Sequence, residues 1–228
     1  GAGSDLRLSS NGTDASIEAP NGHLTLNASN SIIITTAGTN NVKLGANAGN
    51  SIASGGIQNT VIGDEAGTAL TTGDYNVAVG YEALKTEDGH GGNVAIGRKA
   101  LEDLNAGQNS YNTAVGYNSG RDVTTGINNA LIGGEAGDAL TDADYNVAVG
   151  YNALSSDTLG SRTTAIGQGA LFTQNFTTAT DTYNVAVGFS GGSSITTGTL
   201  NTIVGGLAGD NITTGGNNTI IGFGSDTS

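Results

Sequence analysis

The chain has no cysteine, no methionine, no tryptophan and a single proline, Pro20, and it carries only seven lysine and arginine residues against twenty aspartates and glutamates. Without cysteine there is no disulfide, no thiol nucleophile and no thiolate metal site, so stability has to come from packing and hydrogen bonding. A net charge of −13 leaves no basic patch to neutralise phosphates or to grip an anionic membrane, which argues against nucleic-acid and polybasic membrane binding. No apolar run approaches the roughly 20 residues that cross a bilayer. Membrane insertion is therefore not expected, and no signal peptide is read at the N-terminus. Large side chains, which fill a globular core at crystal-like density, are scarce, with aromatics at 5 % of the chain; this composition argues against an ordinary globule.

What the chain does have is 39 glycines set among Ala, Val, Ile, Leu, Asn and Thr. The glycines follow no three-residue period, which excludes collagen, and the β-branched residues speak against disorder. A longer period is present. A unit of Asn, then Val, Thr or Ala, then a small or aliphatic residue, then Val, Ile or Leu, then Gly recurs eleven times, with Lys43 and Thr163 as its departures. Its glycines are Gly45, Gly63, Gly80, Gly97, Gly116, Gly133, Gly150, Gly167, Gly188, Gly205 and Gly222, mostly 17 residues apart. A second order lies on top, since Asn59–Leu84 returns as Asn129–Leu154, offset by 70 residues. Coils of the form Gly-x-x-Ala/Ser-Gly come in pairs and alternate with pairs of the form Gly-x-x-Ala-Leu. Such self-similarity marks a solenoid, in which each repeat buries its neighbours.

Within a coil, NVAVG has the length and β-branching of a short strand. Alternation points Val77 and Val79 one way and Ala78 the other. Both sides are apolar, so both are expected to be buried. One coil wrapped on itself covers one side only; the other needs a partner chain, and the frequent alanines imply that this partner comes close. The same reading holds for Val94, Ala95 and Ile96, for Val147, Ala148 and Val149, and for Val185, Ala186 and Val187, which are the predicted inter-chain core. Seven residues after the motif glycine comes another apolar position (Ile52, Leu70, Leu104, Val123, Leu140, Ile195, Ile212), which fails at Glu87, Asp157 and Gln174. It predicts a second strand, with the TTG, GDYN and GGNN segments as turns.

Three segments follow. Residues 1–4, Gly1-Ala2-Gly3-Ser4, read as an expression scar. Residues 5–40 carry short strands between NGTD, APNG and NASN turns and form a predicted N-terminal β-stem. Residues 41–228 are the repeat domain of eleven coils.

The repeats, in forms such as NVAVGYEAL, NTAVGYNSG and NTIVGGLAG with links such as TTGINN and TTGGNN, resemble the repeat arrays of bacteriophage tail fibres. Such arrays often precede a self-cleaving chaperone domain. They are also similar to the head of YadA-like trimeric autotransporter adhesins, a left-handed parallel β-roll. The resemblance covers roughly Asn41 to Gly222. It implies an all-β, trimeric, left-handed parallel β-roll with its NVAVG strands turned inward on a threefold axis, preceded by a narrow β-stem. It also implies location in a virion, with the bacterial cell surface as the alternative. The implied partners are two further copies of the chain and a bacterial surface polysaccharide or outer-membrane receptor. The coils are longer than those of the autotransporter heads, no coiled-coil stalk or anchor is read, and DLRLSSNGTDASIEAPNGHLTLNAS resembles a fibre stem; these departures favour the phage reading. A polysaccharide-degrading tailspike is the further alternative.

No catalytic residue, metal site or cofactor is assigned from the sequence. His23 and His90 lie in turn contexts without a second ligand at useful spacing, and no nucleophile elbow, P-loop or HExxH occurs. The carboxylate clusters Asp64-Glu65, Glu102-Asp103 and Asp142/Asp144 are the candidates for glycosidic chemistry, but they read as solvated corner charges that discourage edge-to-edge pairing. The calcium loop signatures are absent. The aromatics are more informative. Tyr75, Tyr111, Tyr145 and Tyr183 directly precede the motif Asn, whereas Tyr81, Tyr117, Tyr151, Phe189 and Phe223 directly follow the motif Gly. Register-locked aromatics form ladders that either plug corners and seams or, at the latter five residues, stack on sugar rings. Repeated Thr-Thr pairs suggest a hydroxyl array, but their spacing is too uneven for one.

Overall fold

The structure is a computed structural model, and it describes residues 40–226. The expected scar, all of the expected stem but residue 40, and His23 lie outside the described residues. Among the described residues the chain is all-β. Its strands are β1 (Val42–Leu44), β2 (Thr60–Ile62), β3 (Val77–Val79), β4 (Val94–Ile96), β5 (Thr113–Val115), β6 (Ala130–Ile132) and β7 (Val147–Val149). They continue with β8 (Gly160–Ser161), β9 (Thr164–Ile166), β10 (Thr180–Asp181), β11 (Val185–Val187), β12 (Thr202–Val204) and β13 (Thr219–Ile221). Eleven of them, all but β8 and β10, form one parallel sheet in chain order. Motif residues pair with the same motif residues, as in Ala78 with Ala95 and Ala148 with Ala165. The two-residue strands β8 and β10 pair with each other, alongside. The chain is thus a parallel β-solenoid of about 17-residue coils, one motif strand per coil.

The expected second strand does not form. The segment after Leu70 turns, with the Leu70 amide donating back to the Gly67 carbonyl at 3.2 Å and the Thr71 amide donating to Asp88 in the next coil at 2.6 Å. Its apolar residue nonetheless points inward: Leu70, Leu104, Val123, Leu140 and Ile195 are fully buried. One inward residue per coil makes a corner of the core without requiring a strand. The Thr-Thr pairs are also explained, since Thr71, Thr124 and Thr196 donate their hydroxyls to carbonyls of the following coil. The first threonine of each of these three pairs thus bonds coil to coil at the surface.

The core is about one large side chain wide. It is built from the strand's middle residue, the alanine three places after the motif glycine, and the residue after that alanine. This last position has positive φ, near 51° at Leu84 and 58° at Gly120. Glycine tolerates that backbone freely, whereas leucine carries roughly 1–2 kcal/mol of strain there. Leu84, Leu101, Leu154 and Leu171 accept the strain and are fully buried, filling the space left by Ala78, Ala95, Ala148 and Ala165. In the Gly-type coils neighbours occupy the room: a Cβ on Gly120 would fall 2.6 Å from Leu131 Cδ1 and 3.1 Å from Leu101 Cδ2. Volume complementarity between neighbouring coils is therefore the physical content of the paired alternation.

The motif glycine is obligatory for a different reason. Gly80 has φ of 135°, and a Cβ there would sit 2.4 Å from the carbonyl oxygen of Gly97 in the next coil. The same clash repeats along the ladder. The motif asparagine ties the coils together. Asn129 Nδ2 donates to the Ala143 carbonyl of its own coil at 2.8 Å, and its Oδ1 accepts the Asn146 amide of the next at 2.9 Å. Asn59, Asn76, Asn112, Asn146, Asn184 and Asn201 make the same two bonds. Where Thr163 interrupts this ladder, Gln174 enters the core, donating to Thr163 Oγ1 at 3.0 Å and accepting from Asn184 Nδ2 at 2.8 Å.

The strand's two sides differ from the expectation. The middle residues, including Ala78, Ala95, Ala148 and Ala186, are fully buried within this one chain. Alanine there reflects the narrowness of the coil's own interior, not the approach of a partner. The other side, formed by Val77, Val79, Val94, Ile96, Val147, Val149, Val185 and Val187, faces outward. It is half-buried to exposed.

Candidate functional site

The outward side of the sheet is a continuous, regularly ordered surface along the described coils. Eleven strands at about 4.8 Å spacing make a strip about 48 Å long, with apolar residues at most of its first and third positions. Leu44, Ile96, Ile132, Ile166, Val204 and Ile221 all remain at least 38 % exposed in the single chain. Both margins carry aromatics. Tyr75, Tyr111, Tyr145 and Tyr183 stand before the strands; Tyr81, Tyr117, Tyr151, Phe189 and Phe223 stand after them, and all nine are exposed.

The aromatics alternate with smaller or cationic residues from coil to coil. Arg98 lies between Tyr81 and Tyr117, its guanidinium 5.7 and 5.5 Å from their ring centroids, and Arg162 lies 4.7 Å from Tyr145. At Gly92 the Tyr111 ring occupies the place of a side chain, since a Cβ would fall 2.6 Å from its Cδ1. The backbone is strained beneath one of these ladders: Tyr75, Tyr111, Tyr145 and Tyr183 all have φ between 50° and 60°. A large exposed apolar surface of this kind marks an interaction site.

A second surface is a cleft of about 390 Å³ lined by Asn152, Gln168, Phe172, Thr173, Ser190 and Ser193. Phe172 is 40 % exposed, and the other side chains named are neutral hydroxyls and amides. An aromatic face ringed by such groups is chemically suited to a sugar. No sequence signal singled out Phe172 because it stands outside both aromatic ladders.

The candidate carboxylates are dispersed. Glu65 pairs with Lys85 at 3.0 Å, and Glu102 pairs with Lys99 at 2.7 Å. Between them Glu82 takes both lysines, which hold its carboxyl down to about 2. Asp142 accepts the Thr125 hydroxyl at 2.6 Å, and Asp144 accepts the Ile127 amide at 2.8 Å. Glu65, Asp142 and Asp144 are thus engaged with a neighbouring coil, and Glu102 with Lys99 of its own.

Asp138 differs. Its Oδ1 is buried without a hydrogen bond, and burial pushes its carboxyl up to about 6 from 3.8. The folded state therefore binds this proton more tightly than the unfolded state does. The associated stability is full below the ordinary carboxylate range and lost as pH rises through about 6. Asp138→Asn is expected to raise the melting temperature by about 2 °C at neutral pH and to leave it unchanged in acid, as read from thermal unfolding across the pH range.

Glu87, Asp157 and Gln174, which interrupted the apolar pattern, are fully buried because their position is an inward corner. Glu87 also gives His90 the neighbour that sequence spacing did not offer, with Oε1 3.4 Å from His90 Nδ1. The available signal was the phase: a titratable residue in a column that otherwise faces the core.

No protein-family model, curated protein or solved structure matches this chain. Among the described residues no helix is long and apolar enough to cross a membrane.

Proposed function

We propose that this chain is a structural and adhesive segment of a bacteriophage tail fibre, which extends the fibre within the virion and contributes to attachment to the bacterial host surface. In this reading three copies form a left-handed β-roll, with the outward strand faces packed together about the threefold axis and a narrow stem leading into it. The observation that carries it is the apolar, aromatic-edged strip running the length of the sheet, which one chain leaves uncovered. The cleft at Phe172 and the Tyr and Phe ladders supply contacts for a surface polysaccharide or outer-membrane receptor. Three copies of each contact gain avidity by repetition. The role is mechanical and requires no catalysis and no cofactor.

Fluorescently labelled protein, incubated with a panel of Gram-negative strains, is expected to decorate a subset of them, and to lose most of that binding after enzymatic removal of capsule or truncation of lipopolysaccharide. Uniform absence of binding across the panel, relative to an equally acidic unrelated solenoid, would remove the attachment role.

A further inference from the structure

Glu87 and Asp157 occupy equivalent places in the 70-residue super-repeat, and comparing them exposes a site. Both carboxylates are fully buried. Asp157 is completely satisfied: Oδ1 accepts the Gly160 and Phe176 amides at 3.1 and 2.9 Å, and Oδ2 accepts Gln174 Nε2 at 2.6 Å. Glu87 Oε1 likewise accepts the amide three residues on, that of His90, at 3.1 Å. Its Oε2, however, has no hydrogen bond, because Leu104 stands where the sister coil has Gln174. A buried carboxylate oxygen left unpaired is costly.

Beside it lies a second orphan. His90 Nδ1 is buried and makes no hydrogen bond, yet it sits 3.4 Å from Glu87 Oε1 and 4.0 Å from Asp88 Oδ1. Together the three side chains bring one nitrogen and two carboxylate oxygens within 4.8 Å of one another. A tetrahedral ion with bonds of 2.0–2.1 Å separates its ligands by about 3.4 Å. The Glu–His distance already has this value, and the exposed Asp88 closes the remainder by a small rotation. The loop is held from both sides: Asn76 Nδ2 donates to the His90 carbonyl at 3.0 Å, and the Thr71 hydroxyl donates to the Asp88 carbonyl at 2.8 Å.

We propose that Glu87, Asp88 and His90 form a binding site for a divalent first-row transition metal of the Zn2+ type. One imidazole with two carboxylates suits that class, whereas Ca2+ and Mg2+ take oxygen ligands. Asp88 and His90 are partly exposed, so the ion enters from solvent and keeps water in its remaining position. Bound there, it clamps the turn onto the coil ahead of Asn93, whose Nδ2 lacks the carbonyl partner that other motif asparagines have. The sister coil carries Asp157, Thr158 and Gly160 and so lacks two of the three ligands.

The test uses the whole chain and the metal alone. Isothermal titration with Zn2+ near neutral pH is expected to give one site per chain, and Co2+ to give a visible d–d absorption band. The sister coil supplies the variants: His90→Gly and Asp88→Thr each place the residue found 70 positions later. Each is expected to weaken binding at least tenfold, the lower end of the loss that even an outer-shell change produces. Asp88→Thr alters an exposed side chain, so it keeps the test decisive if His90→Gly perturbs folding. Absence of Zn2+ heat and Co2+ absorbance at millimolar metal overturns the proposal, as does binding that is unchanged in both variants.

Discussion

Analytical ultracentrifugation is expected to find the wild-type chain at three times its 22.4 kDa mass, and the Ile132→Glu/Ile166→Glu double variant at one. Both isoleucines sit at the third position of their strands, on the outward side, and are 41 and 38 % exposed in the single chain. Neither contributes to the chain's own core, so the variant coils keep their fold. In an assembly of three strips each substitution enters three times, and a carboxylate taken into an apolar interface costs several kcal/mol. Association therefore weakens by at least about a thousandfold. Asn105→Glu, which adds a carboxylate on an exposed turn instead, is expected to leave the mass unchanged. A wild-type chain that sediments as a folded monomer would leave the strip without its occupant and the fibre reading without its main support.

The second large effect concerns the asparagine ladder. Asn129→Ala is expected to lower stability by about 3 kcal/mol or more, since it strands two buried groups at 1–3 kcal/mol each and opens a gap beside them. The groups are the Ala143 carbonyl and the Asn146 amide, which Asn129 serves at 2.8 and 2.9 Å. Asn129→Asp keeps the acceptor but loses the donor and buries a charge, so it is expected to be at least as damaging. Gln174→Leu belongs to the same class although it lies outside the motif, because it deprives Asp157, Thr163 and Asn184 of a partner at once. Urea denaturation measures the loss, and hydrogen exchange locates it, since solenoid coils open with their nearest neighbours. A change of under 1 kcal/mol in Asn129→Ala would mean that water satisfies the stranded groups and that the ladder is not what binds coil to coil.

Much of this fold is legible in the sequence because stacking in register turns every structural requirement into a column. The motif glycine, the strand and the coil length could be read directly. The side of the strand that faces inward could not. Alternation separates Val77 and Val79 from Ala78 but says nothing about which set the coil encloses, and alanine signals close approach whether the neighbour is a partner chain or the far wall of the same narrow coil. The second strand that the pattern predicts is absent for a related reason. One apolar residue per coil, such as Leu70, marks an inward direction, whereas a strand needs several residues in extended geometry, and the chain turns there instead. The candidate site was the least visible part. Glu87 and Asp157 look like equivalent failures of a pattern until three-dimensional neighbours show that one is satisfied by Gln174 and the other, facing Leu104, is not.

Because most coils repeat the same glycine and asparagine contacts with the coil on either side, the joints recur in units of the super-repeat. Tyr75-Asn76-Val77 and Tyr145-Asn146-Val147 are identical, and both sit at the same point of the glycine and asparagine columns. A genetic crossover between these two stretches would delete or duplicate 70 residues while keeping the glycine and asparagine columns in register at the junction. Length in such a protein is thus an inheritable variable that recombination adjusts in whole steps, separate from whatever its surface recognises.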